Sequence, residues 1–296
     1  MLSPERVLVN EPLYKHTTFR IGGPAKFYVY VDNTDKLKRT LDLLNNEKVK
    51  YVILGNGSNV LASDEGYDGV IIKLGGEFRE FTYNDDLNDG TCNVRAGGGM
   101  VLSKLSFWVC KKGFAGLEFA GGIPGTVGGA VFMNAGAYGN EIKDILVSAE
   151  VLTKEGEVRT LTADELKLSY RHSAVMDSGD IVLFANFKFK IETKIEIFAI
   201  RESYRQMRNE KQPLDLPSAG STFKRPEGNF AGKLIQECGL KGAHVGDACV
   251  SEKHAGFIVN KGNAKAKDVC ELIKLVQDTV FEKTEVKLEP EIRFLF

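Results

Sequence analysis

The stretch from Ala120 to Ala130 reads Ala-Gly-Gly-Ile-Pro-Gly-Thr-Val-Gly-Gly-Ala, and Met-Asn-Ala-Gly-Ala-Tyr-Gly follows from Met133 to Gly139. Both belong to a segment of 43 residues, Gly97 to Gly139, which holds 12 of the chain's 31 glycines. Glycine inside a helix or strand costs about 0.5–1 kcal/mol relative to alanine. So dense a run therefore predicts close approach of the backbone to a bound ligand rather than an efficient core.

Earlier in the chain, the first glycine loop, Gly55-Asn56-Gly57-Ser58-Asn59, follows a short strand predicted at 51–54, and Gly97 to Gly139 is therefore called the second glycine-rich segment. Backbone amides in such a loop can bind a phosphate, although an ordinary tight turn remains the alternative for this loop alone. It is not a Rossmann fingerprint, because Val60 stands where a third glycine is required and no strong helix pattern follows. Two such loops in one chain indicate a dinucleotide. A triphosphate-binding loop is excluded, since its nearest match, Gly228 to Lys233, has only three intervening residues and is followed by Leu234.

Three further segments carry candidate chemistry. Tyr170-Arg171-His172-Ser173 could bind a ligand or be a surface salt-bridge donor with an aromatic neighbour, and Pro217 to Pro226 places hydroxyls and two cations between prolines. An exposed turn is the alternative for the second segment. His254 could contact a ligand or be a hydrogen-bonded loop residue, and Glu291 with Arg293 could form a structural ion pair.

Composition excludes several classes of protein. The chain has 296 residues, with 39 Lys and Arg against 40 Asp and Glu, so a net charge of −1 argues against binding to nucleic acid or an anionic membrane. The uncharged stretch 119–133 is too short for a membrane span, which needs about 20 apolar residues. No basic patch followed by an apolar run opens the chain at Met1–Glu5. Five scattered cysteines without a Cys-x-x-Cys pair predict reduced thiols in the cytoplasm, and the four histidines lack metal-ligand spacing.

Hydrophobic periodicity predicts an α+β chain. Helices are expected after Thr34 as N-cap, from Met100 to Lys112 with Gly113 as the stop, around Ile197, and around Val269. Predicted strands lie at 69–74, around an acidic turn at 84–90, in a hairpin at 150–162 that turns at 155–156, near 187–191, and at 286–296. Composition shifts near residues 75 and 190 divide the chain into segments 1–75, 76–190 and 191–296.

Taken in their order along the chain, the motifs resemble those of the UDP-N-acetylenolpyruvoylglucosamine reductase family, flavoenzymes of peptidoglycan synthesis. The matching stretches are Thr17–Gly23, Leu54–Leu61, Gly121–Gly139, Tyr170–Ser173, Gly220–Pro226, Ala231–Ile235, His254–Asn260 and Leu288–Phe294. Each is weak to moderate alone, whereas the ordered set is specific. Only 50 positions separate Arg171 from Ser221, so the chain looks like the shorter class, which lacks an inserted loop with a substrate-contacting tyrosine.

The resemblance implies a two-lobed FAD-binding domain of the vanillyl-alcohol-oxidase type, with lobes at 1–75 and 76–190, and an α+β substrate-binding domain at 191–296 whose last strand returns to the active site. It implies Arg171, Ser221 and Glu291 as catalytic residues. The implied FAD contacts are Arg20, Gly55, Asn56, Gly57, Ser58, Asn59, Gly121, Gly122, Ile123, Pro124, Gly125, Gly128, Gly129, Asn134, Ala135, Gly136 and Arg293. The implied substrate contacts are Tyr170, Arg171, Gly220, Lys224, Arg225 and His254.

The implied reaction is NADPH-dependent reduction of the enolpyruvyl double bond of UDP-N-acetylglucosamine enolpyruvate. FAD is expected to be non-covalent, because no histidine lies within or beside the glycine loops. Ser221 would supply the proton, while Arg171 and Glu291 are hypothesised to meet at the enolate. No metal and no obligate protein partner are expected. Two alternatives stay open: another flavin oxidoreductase of the same fold, and a non-catalytic nucleotide-sugar binding protein.

Overall fold

The computed structural model describes residues 6–86 and 89–296. Residues 87–88 of the predicted acidic turn and residues 1–5 of the N-terminus lie outside this description. The helices are α1 (Thr34–Asn46), α2 (Leu102–Lys112), α3 (Val127–Phe132), α4 (Ala174–Ser178), α5 (Lys194–Lys211), α6 (Ala231–Glu237) and α7 (Ala266–Thr284). Short 3-10 helices cover Leu13–Lys15, Gly76–Arg79, Glu118–Gly122 and Ile142–Asp144.

The strands are short and numerous, as an α+β chain requires. They are β1 (Val7–Pro12), β2 (Pro24–Val31), β3 (Tyr51–Ile53), β4 (Val60–Ala62), β5 (Tyr67–Leu74), β6 (Phe81–Asp86), β7 (Thr91–Gly97), β8 (Phe114–Ala115), β9 (Gly136–Ala137), β10 (Asn140–Glu141), β11 (Leu146–Leu152), β12 (Val158–Thr162), β13 (Ile181–Ile191), β14 (Ser218–Ser221), β15 (His244–Val245), β16 (Ala248–Val250), β17 (Phe257–Asn260) and β18 (Arg293–Leu295).

The chain divides into two compact units. Of the described residues, the first contains Arg6–Leu8, Tyr28–Gly55 and Ile71–Arg208, and the second contains Val9–Phe27, Asn56–Val70 and Asn209–Phe296. A four-stranded sheet has the order β1-β2-β5-β3. These units do not coincide with the three predicted segments, and the division into two flavin lobes stays a prediction.

The first unit is built on an antiparallel sheet in the order β12-β11-β13-β7-β6, with β8 paired to the end of β13. The predicted hairpin is confirmed, because β11 pairs with β12 and Gly156 takes a φ of +83° in the turn. Helix α2 ends as predicted at Gly113, whose φ of +93° is left-handed and suits glycine. The buried face of α2, with Leu102, Leu105 and Val109, packs into the core of this unit.

Two other helix predictions are partly wrong. The N-cap of α1 is Asn33 rather than Thr34, because the Asn33 side chain accepts a hydrogen bond from the Lys36 amide at 2.9 Å. On α5 the expected apolar face buries Ile197 alone, and Ile200 is 44% exposed.

The second unit contains the antiparallel sheet β14-β17-β16-β15, covered by α7. The α7 face predicted from periodicity, from Val269 to Val280, is buried. The strand predicted at 286–296 is limited to β18, which pairs in parallel with β4. Before β18, Pro290 forms a single isolated bridge with Phe223, and 286–292 otherwise runs as irregular chain.

Candidate functional site

The first glycine loop is packed against its own chain within the second unit. Gly57 has a φ of +60°, and a methyl group there would stand 2.8 Å from Thr17 Cα and closer still to the His16 carbonyl oxygen. The Gly57 carbonyl accepts a hydrogen bond from the Thr18 amide at 3.2 Å. The glycine is therefore required by the turn itself, and the loop follows the path of residues 16–18.

The same loop is joined to the C-terminal segment. The Asn59 side-chain amide donates to the Glu291 carbonyl oxygen at 3.1 Å, and the Asn59 carbonyl accepts from the Arg293 amide at 2.9 Å. The end of the chain thus returns to the first glycine loop, and this places the predicted residues Asn59, Glu291 and Arg293 together. The predicted cofactor residue Arg20 is exposed in the same unit and has a left-handed φ of +54°.

Gly55, at the start of this loop, belongs to the first unit and lies against the second glycine-rich segment. A side chain at Gly55 would stand 2.8 Å from Thr126 Oγ1, the hydroxyl that caps α3 by accepting from the Gly129 amide. The Lys73 ammonium donates to the Gly55 carbonyl oxygen. Burial lowers the pKa of Lys73 to about 8, because the charged ammonium is poorly solvated there.

The glycines of the 97–139 segment serve two different purposes. A side chain at Gly97, Gly98, Gly99, Gly128 or Gly136 would collide with neighbouring backbone carbonyls; Gly98, for example, faces Val182. Tight packing of the backbone itself therefore excludes a side chain at these five positions and accounts for glycine there, while the predicted cofactor contacts at Gly128 and Gly136 stay predictions. Gly121 and Gly122 differ, because the atoms nearest to them belong to side chains.

The side chains over Gly121 and Gly122 are two arginines of α5 that sequence reasoning missed. A methyl group at Gly121 would stand 3.1 Å from Arg201 Nε, and one at Gly122 would stand 2.8 Å from Arg208 Cδ. Both Nε atoms are buried, and among the described residues neither has a hydrogen-bond partner. The sequence signal was available, since α5 carries arginines seven residues apart, but nothing in the periodicity connects α5 to the glycine loop.

Asn134 connects the end of the second glycine-rich segment to the Tyr170 motif. It is fully buried with a φ of +41°, its side-chain amide donates to the Ser169 carbonyl at 3.0 Å, and its oxygen accepts from the Lys143 amide at 3.0 Å. These bonds hold Ser169, the residue before Tyr170, in place. The predicted cofactor residue Asn134 therefore has a clear structural role in this arrangement.

Arg171 has an uncommon backbone conformation. Its φ of +55° is left-handed, which costs a non-glycine residue about 1–2 kcal/mol. Its guanidinium donates to the Gly136 carbonyl at 3.2 Å and lies 5.1 Å from the centre of the Tyr170 ring, which is 49% exposed. Such strain is concentrated at functional sites in proteins, and here the predicted Tyr170, Arg171 and Gly136 lie together in the first unit.

Ser221 ends β14 in the second unit, with its side chain exposed. Gly220 before it has a φ of +78° with no atom near its missing side chain, so its conformation and not crowding requires glycine. Thr222, the next residue, is buried, and its carbonyl accepts from the Glu291 amide at 2.8 Å. The structure thus brings the predicted catalytic residues Ser221 and Glu291 into neighbouring segments.

The cations that follow Ser221 have partners on the surface. Lys224 Nζ lies 3.2 Å from the Glu289 carboxylate, and the Arg225 guanidinium lies 4.6 Å from the centre of the Phe230 ring. The Lys224 contact leaves donors available to a ligand, because the ammonium carries more N–H groups than this contact uses.

His254 lies in the turn beside Thr222. Its Nδ1 accepts a hydrogen bond from the Gly256 amide at 3.1 Å, and the Gly256 carbonyl accepts from the Thr222 amide at 2.8 Å. Burial lowers the pKa of His254 below its usual value, so that the neutral imidazole prevails at neutral pH. The hydrogen-bonded loop histidine expected at this position is therefore present. The ligand contact of His254 stays a prediction.

Two kinds of feature are absent from the described ranges. Residues 6–86 and 89–296 contain no cluster of three or more histidine, cysteine or acidic side chains able to hold a metal ion. The helices within the same ranges include none that is long and apolar enough to cross a membrane.

At Gly121 and Gly122 the second glycine-rich segment combines bare backbone with cationic side chains. Gly121 and Gly122 leave the backbone uncovered by side chains of their own, and two cationic guanidinium groups with orphaned Nε donors lie over them. Phosphate oxygens match both features, because they accept hydrogen bonds from backbone amides and from the planar fork of arginine.

Comparison with known proteins gives a consistent result. Residues 25–162 match the FAD-binding domain family, and residues 212–295 match the C-terminal domain family of UDP-N-acetylenolpyruvoylglucosamine reductase. The reductase of Agathobacter rectalis is 50% identical over 295 residues, covering 98% of this chain and 94% of the relative. The reductase of Clostridioides difficile is 43% identical, covering 100% and 95%.

A solved structure agrees with these relatives. The crystal structure of UDP-N-acetylenolpyruvylglucosamine reductase from Thermus caldophilus has a TM-score of 0.81 at 38% identity, and the match covers 97% of both chains. The predicted fold class, α+β with an FAD-binding domain of the vanillyl-alcohol-oxidase type, is confirmed.

Proposed function

The chain belongs to the UDP-N-acetylenolpyruvoylglucosamine reductase family and is an FAD-dependent oxidoreductase, and from this premise we propose its substrate and mechanism. The proposed reaction reduces the enolpyruvyl double bond of UDP-N-acetylglucosamine enolpyruvate to give UDP-N-acetylmuramate, with NADPH as reductant. The observation that carries the proposal is the pairing of an FAD-binding domain with a family C-terminal domain in which Ser221 and Glu291 lie in adjacent hydrogen-bonded segments.

The two glycine-rich segments are the proposed FAD site. Backbone amides of Gly55–Asn59 and Gly121–Gly125, with Gly128, Gly129 and Asn134–Gly136, would hold the cofactor together with Arg20 and Arg293. The orphaned donors above Gly121 and Gly122 support an anionic occupant there. Bound FAD supplies a hydride acceptor for NADPH and a hydride donor for the enolpyruvyl group.

Ser221 is the proposed proton donor. Reduction of the double bond needs a hydride on one carbon and a proton on the carbon beside the carboxylate. The side chain of Ser221 is exposed at the end of β14, so its hydroxyl is free to approach a substrate. A hydroxyl is a weak acid, and it therefore depends on the electrostatic stabilisation of the developing negative charge.

Arg171 and Glu291 are proposed to provide that stabilisation. As the hydride arrives, negative charge develops on the substrate carboxylate, and the Arg171 guanidinium would bind it. The strained backbone at Arg171 is consistent with a residue held for function rather than for packing. Glu291 would assist the enolate or orient the cation.

Tyr170, Gly220, Lys224, Arg225 and His254 are the proposed substrate contacts. The uridine diphosphate part of the substrate carries two phosphates, which the exposed guanidinium of Arg225 and the half-buried ammonium of Lys224 can bind. Gly220 leaves the backbone next to Ser221 open, because no atom lies within 4 Å of its missing side chain.

The cytoplasmic location of the protein stays a prediction.

The visible spectrum of the purified protein tests the proposal. We expect a yellow protein whose flavin absorbance is bleached by NADPH and restored by the enolpyruvyl sugar. Acid precipitation should release the flavin, since no covalent link is expected. Bleaching without restoration would indicate another flavin oxidoreductase, whereas a protein that takes up no FAD would contradict the enzyme assignment.

A further inference from the structure

Two arginines of α5, Arg201 and Arg208, lie on neighbouring glycines of the second glycine-rich segment. They are separated by seven residues, which is about two turns, so both side chains leave the helix on the same face. Arg201 lies over Gly121 and Arg208 over Gly122. Cationic groups and side-chain-free backbone therefore occur at the same place.

The acidic side chain that interacts electrostatically with Arg201 is Glu202, which is itself paired with Arg205. Among the described residues neither Arg201 nor Arg208 takes part in an ion pair, and both of their Nε atoms are buried without an acceptor. Arg201 lies 5.3 Å from the centre of the Phe107 ring. Burial lowers the pKa of Arg208, and nearby Tyr138 opposes that change. Buried cations in proteins are normally paired, because removing a charge from water is costly.

We propose that Arg201 and Arg208 bind the phosphate groups of the nucleotide that lies on Gly121 and Gly122. This inference rests on the proposed function, in which that nucleotide is FAD, and NADPH is the other nucleotide with the same chemistry. The planar guanidinium presents several N–H donors in a fixed fork that matches phosphate oxygens, and the buried Nε donors then gain acceptors. Small glycines let the phosphates approach both the backbone and the arginines.

The first measurement is the rate at which the diluted holoenzyme releases flavin. The rise in free-flavin fluorescence reports this release. Arg201→Met and Arg208→Met should each accelerate release about tenfold to a hundredfold, because each removes a charge-assisted contact. Arg208→Lys should give a smaller effect, since it keeps the charge and loses the fork. Arg205→Met is the matched control, because Arg205 lies on the same helix but is exposed and paired with Glu202 at 2.6 Å; its release rate should equal that of the wild type.

Thermal unfolding of the FAD-free protein separates ligand binding from a structural role. The methionine variants at 201 and 208 should unfold no lower than the wild type, because each removes a partly buried charge that has no ion-pair partner among the described residues. A lower unfolding temperature of the FAD-free variants together with unchanged flavin release would overturn the proposal and make both arginines structural.

Titrations with NADPH and with UDP identify the source of the phosphate. If the methionine variants release flavin at the wild-type rate but bind NADPH tenfold or more weakly, the phosphate contact is supported and belongs to NADPH. Unchanged release with unchanged binding of both probes would overturn the proposal. If the wild type takes up no FAD, the proposed function fails, and the same two titrations still decide whether the arginines bind a nucleotide phosphate.

Discussion

Replacing Gly57 by alanine should destabilise the protein more than any other alanine substitution in the first glycine loop. The φ of +60° costs an alanine about 1–2 kcal/mol. The added methyl group would also meet Thr17 Cα at 2.8 Å and the His16 carbonyl, and such overpacking typically costs about 1–3 kcal/mol. Since both neighbours are backbone, the loop must move, and the combined cost is about 2–5 kcal/mol.

The matched control is Gly139→Ala. Gly139 has a φ of +86° but no atom within 4 Å of its missing side chain, so this variant carries only the conformational cost of about 1–2 kcal/mol. Thermal unfolding of both variants isolates the close contact, because a change of 1 kcal/mol shifts the midpoint by roughly 2–4 °C in a domain of this size. Flavin content of the purified variants is the second assay, and Gly57→Ala should lose most of its FAD because the loop amides are displaced.

Two results would refute this reasoning. Equal unfolding midpoints for the two variants would mean that the loop does not pack on residues 16–17 as described. A lower midpoint for Gly57→Ala with full retention of flavin would mean that the loop is a packing element only, and the proposed FAD contact at Gly57 would then be wrong.

Three further predictions concern chemistry and pH. Ser221→Ala should slow reoxidation of the reduced flavin by the sugar substrate about 10²–10⁴-fold while leaving reduction by NADPH unchanged, and Ser221→Cys should recover part of the rate; stopped-flow measurement of both half-reactions decides it, and equal slowing of both would remove Ser221 from the mechanism. Arg171→Ala and Glu291→Gln should retain FAD and its reduction by NADPH but lose about 10²–10³ in turnover, whereas wild-type turnover in both would make these charges structural. The pKa of Lys73 is about 8 in the folded protein and 10.5 in the unfolded chain, so between these pH values the unfolded chain binds more protons at this group. The contribution of Lys73 to the free energy of unfolding therefore rises as the pH increases from 8 to 10.5. Urea unfolding should therefore show wild type gaining stability relative to Lys73→Met over that window, and parallel pH profiles would contradict the shift.

The C-terminal segment shows where sequence patterns reach their limit. One strand was predicted over 286–296, but the observed strand is only β18, in which Phe294 is 45% exposed and Leu295 is buried. Pro290 and the bonds of Glu289 and Glu291 to residues 222–224 determine this path. Those partners lie over 60 positions away, and local alternation contains no information about them.

The sequence alone determined the local elements whose causes are local. The C-terminal stop of α2 at Gly113 follows from the left-handed conformation that glycine accepts, and the buried face of α7 follows from helical periodicity. The ordered motifs also sufficed for the family and the FAD-binding fold, because glycine spacing and the Arg171 and Ser221 motifs are read directly from the chain.

Only the tertiary structure decided which glycines are packed against backbone and which lie under side chains. Gly98 and Gly122 look alike in the sequence, yet one faces the Val182 carbonyl and the other the Arg208 side chain. It also joined Asn59 to Glu291 across 232 positions and placed Arg201 over Gly121. The physical reason is the same in each case: close contacts and unpaired charges depend on atoms far apart in the chain, which local propensity and spacing do not encode.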